Sequence, residues 1–250
     1  MLLGEPPRTQ WDLHFRLFGI PVRVHPFFWL IAALLGIGGG PELIDLFVWI
    51  AAVFVSVLVH ELGHALVMRR FGYMPWITLY GMGGLAGRGN AQGRGPVSER
   101  TSREVLISAA GPGAQLAIVA VVGGGLKLAG HGVALVMLGG FLPLVLVAPI
   151  GSPHLTTFIN YLLIVSVFWP VINLLPVYPL DGGQIARELM LKMNPWDGIR
   201  QSLILSLATA VGVAVLALLL LHDQFLALFF GYFAFSSYMM LQAHQGRGPW

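Results

Sequence analysis

LFVWIAAVFVSVLVHELGHALVM, residues 46–68, is an apolar run with three ionisable side chains set into it: His60, Glu61 and His64. A helix needs roughly 20 apolar residues to cross the hydrocarbon core of a bilayer, so the run predicts a membrane-crossing helix. On that helix residues four apart share a face, and both imidazoles can reach one ion. Glu61, beside the first imidazole, is placed to take a proton from a metal-bound water. An ionisable residue inside a membrane costs at least ~2.5 kcal/mol and marks function by default. Three of them in five positions therefore read as a metal site in preference to a structural polar cluster. Zinc fits the pattern, because it accepts imidazole and carboxylate ligands and lowers the pKa of a bound water to about 7. His64 precedes Arg69 by five residues, about 7–8 Å of helix, so the site is expected inside the membrane near the cytoplasmic face.

The rest of the chain agrees with a membrane setting. It is 56% hydrophobic and 10% charged, whereas a soluble domain carries about 25% charged residues. Further apolar stretches lie at 26–40, 104–129, 133–150, 155–180, 202–221 and 224–242. The first is short and glycine-tailed, and 133–150 is interrupted by Pro143 and Pro149. The expected fold is an all-α polytopic membrane protein of about six transmembrane helices, read as one domain over residues 1–250. With a cytoplasmic N-terminus and every stretch but 133–150 crossing once, every Lys and Arg except Lys127 falls on the cytoplasmic side. That is the bias the positive-inside rule requires, and it puts both termini in the cytoplasm. It also accounts for the net charge of +3 without nucleic acid as a partner. The absence of cysteine removes disulfides and thiolate ligands.

Two segments read differently. Phe15–Val24 looks like a strand pair with a turn. The alternating Trp76–Tyr80 run and the glycines after it look like a strand or hairpin, followed by a polar loop from Arg88 to Arg100. Together they predict a small membrane-associated β element on the cytoplasmic side. Ile77–Gly87 could add a substrate strand by main-chain pairing, or be an ordinary surface hairpin.

A catalytic zinc site usually has three protein ligands and water. Asp181 is the candidate third. It follows Asn173-Leu-Leu-Pro-Val-Tyr-Pro-Leu180 and precedes Gly182-Gly183. The prolines break a helix there, and broken backbone at membrane depth is tolerated where it lines protein or a water-filled cavity. The competing reading is a loop aspartate that caps the next helix. Asn173 could donate to a developing oxyanion or bond a neighbouring helix.

These residues resemble the site-2 protease family of intramembrane zinc metalloproteases. The match covers Phe18 to Arg187, with FGIPVRVHP at 18–26, HELGHA at 60–65, GPGAQ at 111–115 and NLLPVYPLDGG at 173–183. The core is thus 18–187, with two further transmembrane helices in 188–250 and no PDZ or CBS domain. The resemblance implies one Zn2+ per chain on His60, His64 and Asp181. Glu61 would be the general base and Asn173 a transition-state or substrate contact. The activity implied is hydrolysis of peptide bonds in membrane-spanning proteins of a prokaryotic cell membrane. Relatives usually carry Asn where this chain has Gln115, which keeps the amide on a longer arm, and the Gly111-Pro112 pair reads as close helix packing. A membrane metal transporter or metal sensor using the same His and Asp ligands is the alternative. Transport needs ligands with access to both faces, and the candidates here all lie toward one side.

Overall fold

Helix α2, Leu43–Arg70, carries the HELGH sequence through 28 residues, about 42 Å of helix against a hydrocarbon core of about 30 Å. Its first turn is closed by the Glu42 N–H donating to the Asp45 carboxylate at 3.3 Å. Arg69 and Arg70 sit in its last turn, where cations oppose the negative end of the helix dipole. The chain then leaves through Gly72 at φ +82°, a backbone setting that favours glycine. The computed structural model describes residues 5–37, 42–81, 83–89, 97–138 and 142–246. By contact density it divides into two units.

The first unit comprises Met1–Arg94 and Ala110–Pro170. Strands β1 (Leu13–Leu17) and β2 (Ile20–Val24) form the expected hairpin. Its two turn residues, Phe18 and Gly19, both have positive φ, at +50° and +78°. That backbone matches the twist of two-residue hairpins. Strand β2 then pairs in parallel with β3 (Pro75–Tyr80), which pairs antiparallel with β4 (Gly83–Arg88). The sheet order is β1-β2-β3-β4, so β4 is an edge among the described residues. One face of the sheet (Ile20, Val22, Val24, Ile77, Leu79) packs with Val53, Val57, Leu62 and Ala65 of α2 in a single apolar core. Helix α1, Pro26–Gly36, adds Phe28 and Ala32 to it. A side chain on Gly36 would overlap the Trp49 ring, and the indole N–H of Trp49 donates to the Ala32 carbonyl at 2.9 Å.

Arg23 anchors the outer part of this sheet. It is buried, bonds Glu5 and Asp12 at 3.0 Å each, and also donates to the Pro6 carbonyl. Burial pushes the Asp12 carboxyl up. Hydrogen bonds from the Thr9 hydroxyl and N–H, with the Arg23 guanidinium, outweigh this and hold it at about 2.

Residues 133–150 do not form a spanning helix. Strands β5 (Val133–Leu138) and β6 (Leu142–Val147) pair antiparallel in a second, two-stranded sheet that the sequence reading did not expect as strands. Asn160 pins the end of β6: its carbonyl oxygen accepts from the Val147 N–H at 2.8 Å and its amide donates to the Val147 carbonyl at 3.2 Å. Asn160 lies on helix α4, Pro153–Asn173. Helix α3, Val97–Leu128, begins inside the segment expected as a loop up to Arg100. The part of that loop at 90–96 lies outside the described residues.

The second unit comprises Gly95–Ala109 and Val171–Trp250. After the break at 174–180 come α5 (Asp181–Met193), α6 (Gly198–Leu219) and α7 (Gln224–Gln245). Helices α6 and α7 are joined in their buried interior by a Ser206–Ser237 hydroxyl bond of 2.7 Å. Ser206 also accepts from the Tyr178 N–H at 2.8 Å, satisfying a backbone donor freed by the break.

Helices α2, α4, α6, α7 and Arg100–Leu128 of α3 are long and apolar enough to cross a membrane. Helix α1, the sixth expected crossing, has 11 residues, about 16 Å, and cannot span alone. The chain is an integral, multi-pass membrane protein, predominantly helical with small sheets.

Candidate metal centre

His60, Glu61 and His64 are all buried on α2. The helical repeat does what the sequence predicts. The Nε2 atoms of His60 and His64 face each other at 3.1 Å, with the rings edge to face. Two nitrogens bound to one tetrahedral zinc at about 2.0–2.1 Å would be about 3.3 Å apart, so the pair is already close to the spacing of two ligands.

Glycines set the walls. A side chain on Gly63 would overlap the Ala110 carbonyl of α3, so α2 and α3 approach at backbone distance. One turn of close approach brings Gly111 over the imidazoles. A Cβ there would overlap the Nε2 of His64 and lie 2.8 Å from the Nε2 of His60. The Gly-Pro pair read as helix packing thus also keeps clear the point where the two nitrogens meet. A Cβ on Gly84 of β4 would overlap the Glu61 carboxylate, so the edge strand runs directly against that residue.

Asp181 is the first residue of α5 and is buried. The N-cap position itself is taken by Leu180. Gly182 and Gly183 fit only as glycines: a Cβ on either would overlap backbone of the preceding loop at Leu174–Leu175 and Val177–Tyr178. Each of His60, His64 and Asp181 offers one ligand atom, and these atoms all lie within 4.8 Å of one another, a group that could hold a metal ion. Two imidazoles and a carboxylate with buried surroundings suit zinc, and they leave a position for water. Asn173 is buried at the end of α4.

One feature of the surroundings was not anticipated. Gln115 of α3 is fully buried and bonds the Nδ1 of His60 at 2.8 Å. Its sequence signal was an amide, one methylene longer than usual, at the last position of GPGAQ in the middle of α3.

Residues 48–219 match the family model for peptidase family M50. A zinc metalloprotease of Methanocaldococcus jannaschii is 28% identical over 180 residues, covering 71% of this chain and 45% of the relative. A candidate zinc metalloprotease of Synechocystis is 29% identical over 190 residues, covering 70% of this chain and 42% of the relative. The chain thus spans less than half the length of these curated relatives. The solved site-2 protease from Methanocaldococcus jannaschii superposes with a TM-score of 0.54 at 22% identity, covering 92% of this chain and 95% of that one, so the fold is shared. With a family match running from α2 through α6, the chain belongs to peptidase family M50.

Proposed function

We propose that this protein is an intramembrane zinc endopeptidase that hydrolyses peptide bonds of membrane-spanning protein substrates. The observation that carries the proposal is the convergence of His60, His64 and Asp181 ligand atoms within 4.8 Å, next in sequence to a buried Glu61. Zinc, when bound, supplies Lewis-acid polarisation and an activated water. The chain supplies the rest. His60 and His64 present neutral ring nitrogens from one helix face, and Asp181 adds a carboxylate from the start of α5. Glu61 accepts the proton of the attacking water and passes it to the leaving amine. Asn173 donates to the oxyanion that develops on the scissile carbonyl.

A substrate helix must unwind, because its carbonyls are already hydrogen-bonded. Strand β4 is an edge among the described residues and Gly84 lets it lie against Glu61, which supports strand addition there as the way an extended substrate is held. The proposal places the N- and C-termini in the cytoplasm, as the distribution of basic residues favours, and takes 1–250 as one protease domain.

The test is Glu61→Gln, co-expressed with single-span reporter proteins and purified for metal analysis. Zinc content is expected to match the wild type while uncut reporter accumulates. Cleavage by Glu61→Gln at the wild-type rate would refute the proposal. Zinc movement across vesicles by the same variant would favour transport instead.

A further inference from the structure

We propose that Gln115 is a positioning residue that fixes His60 as the Nδ1–H tautomer and so aims the Nε2 lone pair at the metal. This rests on the reading of His60 as a ligand.

The direction of the hydrogen bonds follows from one carbonyl. The Gln115 side-chain nitrogen lies 3.2 Å from the Ser56 carbonyl oxygen, which can only accept. The amide is therefore oriented with its nitrogen toward Ser56 and its oxygen toward His60. Reversed, two oxygens would face each other in a buried setting. The same nitrogen donates to the Ser56 hydroxyl at 2.8 Å, and that hydroxyl is 2.9 Å from the Ser166 hydroxyl of α4. The Ser56–Ser166 bond can run in either direction without changing the orientation of the Gln115 amide. The Gln115 oxygen, 2.8 Å from Nδ1 of His60, must then accept a ring N–H. A neutral imidazole has one N–H, so Nε2 is left as the unprotonated nitrogen. That is the atom 3.1 Å from its counterpart on His64.

The chain of bonds links α2, α3 and α4 through His60, Gln115, Ser56 and Ser166, with Gln115, Ser56 and Ser166 fully buried. A partner on the far ring nitrogen of a metal-binding histidine orients the ring and raises its basicity, and loss of such a partner typically costs 10–100-fold in affinity.

The experiment compares wild type, Gln115→Leu and Gln115→Glu in detergent. Zinc affinity is measured by chelator competition, and the His60 tautomer by ¹⁵N-histidine NMR with and without zinc. Gln115→Leu is expected to bind zinc about 10–100-fold more weakly, while Gln115→Glu, whose buried carboxyl in its neutral form donates its O–H to the Ser56 carbonyl and keeps an acceptor at Nδ1, stays close to wild type. His60 is expected to carry its proton on Nδ1 even in metal-free wild-type protein. Wild-type affinity in Gln115→Leu would overturn the proposal, as would equal losses in the Leu and Glu variants. If Gln115→Leu fails to fold, the wild-type spectrum decides: a His60 protonated on Nε2 would overturn it. Because the metal-free tautomer is read without zinc, a wild type that binds no zinc would remove the protease reading and still leave Gln115 tested.

Discussion

Replacing Gly111 by Ala should abolish metal binding while leaving the protein folded. The added methyl would stand 2.8 Å from Nε2 of His60 and overlap Nε2 of His64. Favourable carbon contacts begin at about 3.5 Å, so it intrudes by at least about 0.7 Å on the side where the two nitrogens meet. The fold should tolerate this. The atoms struck belong to two side chains and not to backbone, so they can shift aside, His60 at the expense of its bond to Gln115. Ala in place of helical Gly gains about 1 kcal/mol, against an overpacking cost of about 1–3 kcal/mol. The net destabilisation is then about 0–2 kcal/mol. Metal binding should not tolerate it. Imidazoles rotated away from the methyl no longer converge, and losing a ligand should exceed the 10–100-fold cost of losing an outer partner. At least about 100-fold, or roughly 2.8 kcal/mol, is expected. Gly113→Ala is the control, since nothing lies within 4 Å of a Cβ at that position on the same helix. Chelator titration gives the affinities and thermal unfolding in detergent gives the stabilities. Zinc held by Gly111→Ala as tightly as by Gly113→Ala would refute the placement of the metal between the two Nε2 atoms.

Three other outcomes follow. The Asp12 carboxyl is lowered from 3.8 to about 2; its contribution to stability is complete above the unfolded value and disappears as pH falls through the folded one. Asp12→Asn should therefore flatten the acid limb of the melting temperature between pH 4 and 2, and an unchanged limb would show that the Arg23 cluster is not coupled to folding. Ser206→Ala should cost more than Ser237→Ala: besides the interhelical bond of about 0.6 kcal/mol that both variants lose, it leaves the half-buried Tyr178 N–H without its serine acceptor, at up to about 1–3 kcal/mol. Equal losses in denaturant unfolding would count against the Tyr178 contact. Finally, cysteines placed at His131 and Ser152, both exposed and on a cysteine-free background, should be labelled by an impermeant reagent from the same side of the membrane. Labelling from opposite sides would show that the β5–β6 segment crosses.

Features legible in the chain were those with an energetic signature inside the sequence itself. Charges in an apolar run are costly wherever the fold puts them, so His60, Glu61 and His64 stand out as a candidate site from the sequence alone. Asp181 announced itself through the prolines and glycines around it, and Gly182 and Gly183 prove to be needed for backbone contact. The β1–β2 hairpin was readable because Phe18-Gly19 is a turn between two alternating runs.

The β5–β6 hairpin and Gln115 were not readable in this way, for a shared physical reason. VALVML and LPLVLV are apolar throughout, and in a membrane protein such a run carries no period that separates strand from helix. One partner of the strand lies outside the run: Asn160, thirteen residues beyond Val147, bonds the Val147 backbone at the end of β6. Likewise, nothing within GPGAQ distinguishes a packing residue from one that directs a histidine. The distinction comes from the Ser56 carbonyl, 59 positions away, which orients the amide. Gln115 also required Gly63 and Ala110 to bring the two backbones together, since only at that separation does its arm reach both Ser56 and His60. His60 and His64 are local in sequence, while Gln115 is brought to them by packing. A side chain at Gly63 should accordingly push α3 away and weaken zinc binding together with the His60–Gln115 bond, and wild-type affinity for Gly63→Val in chelator competition would refute this.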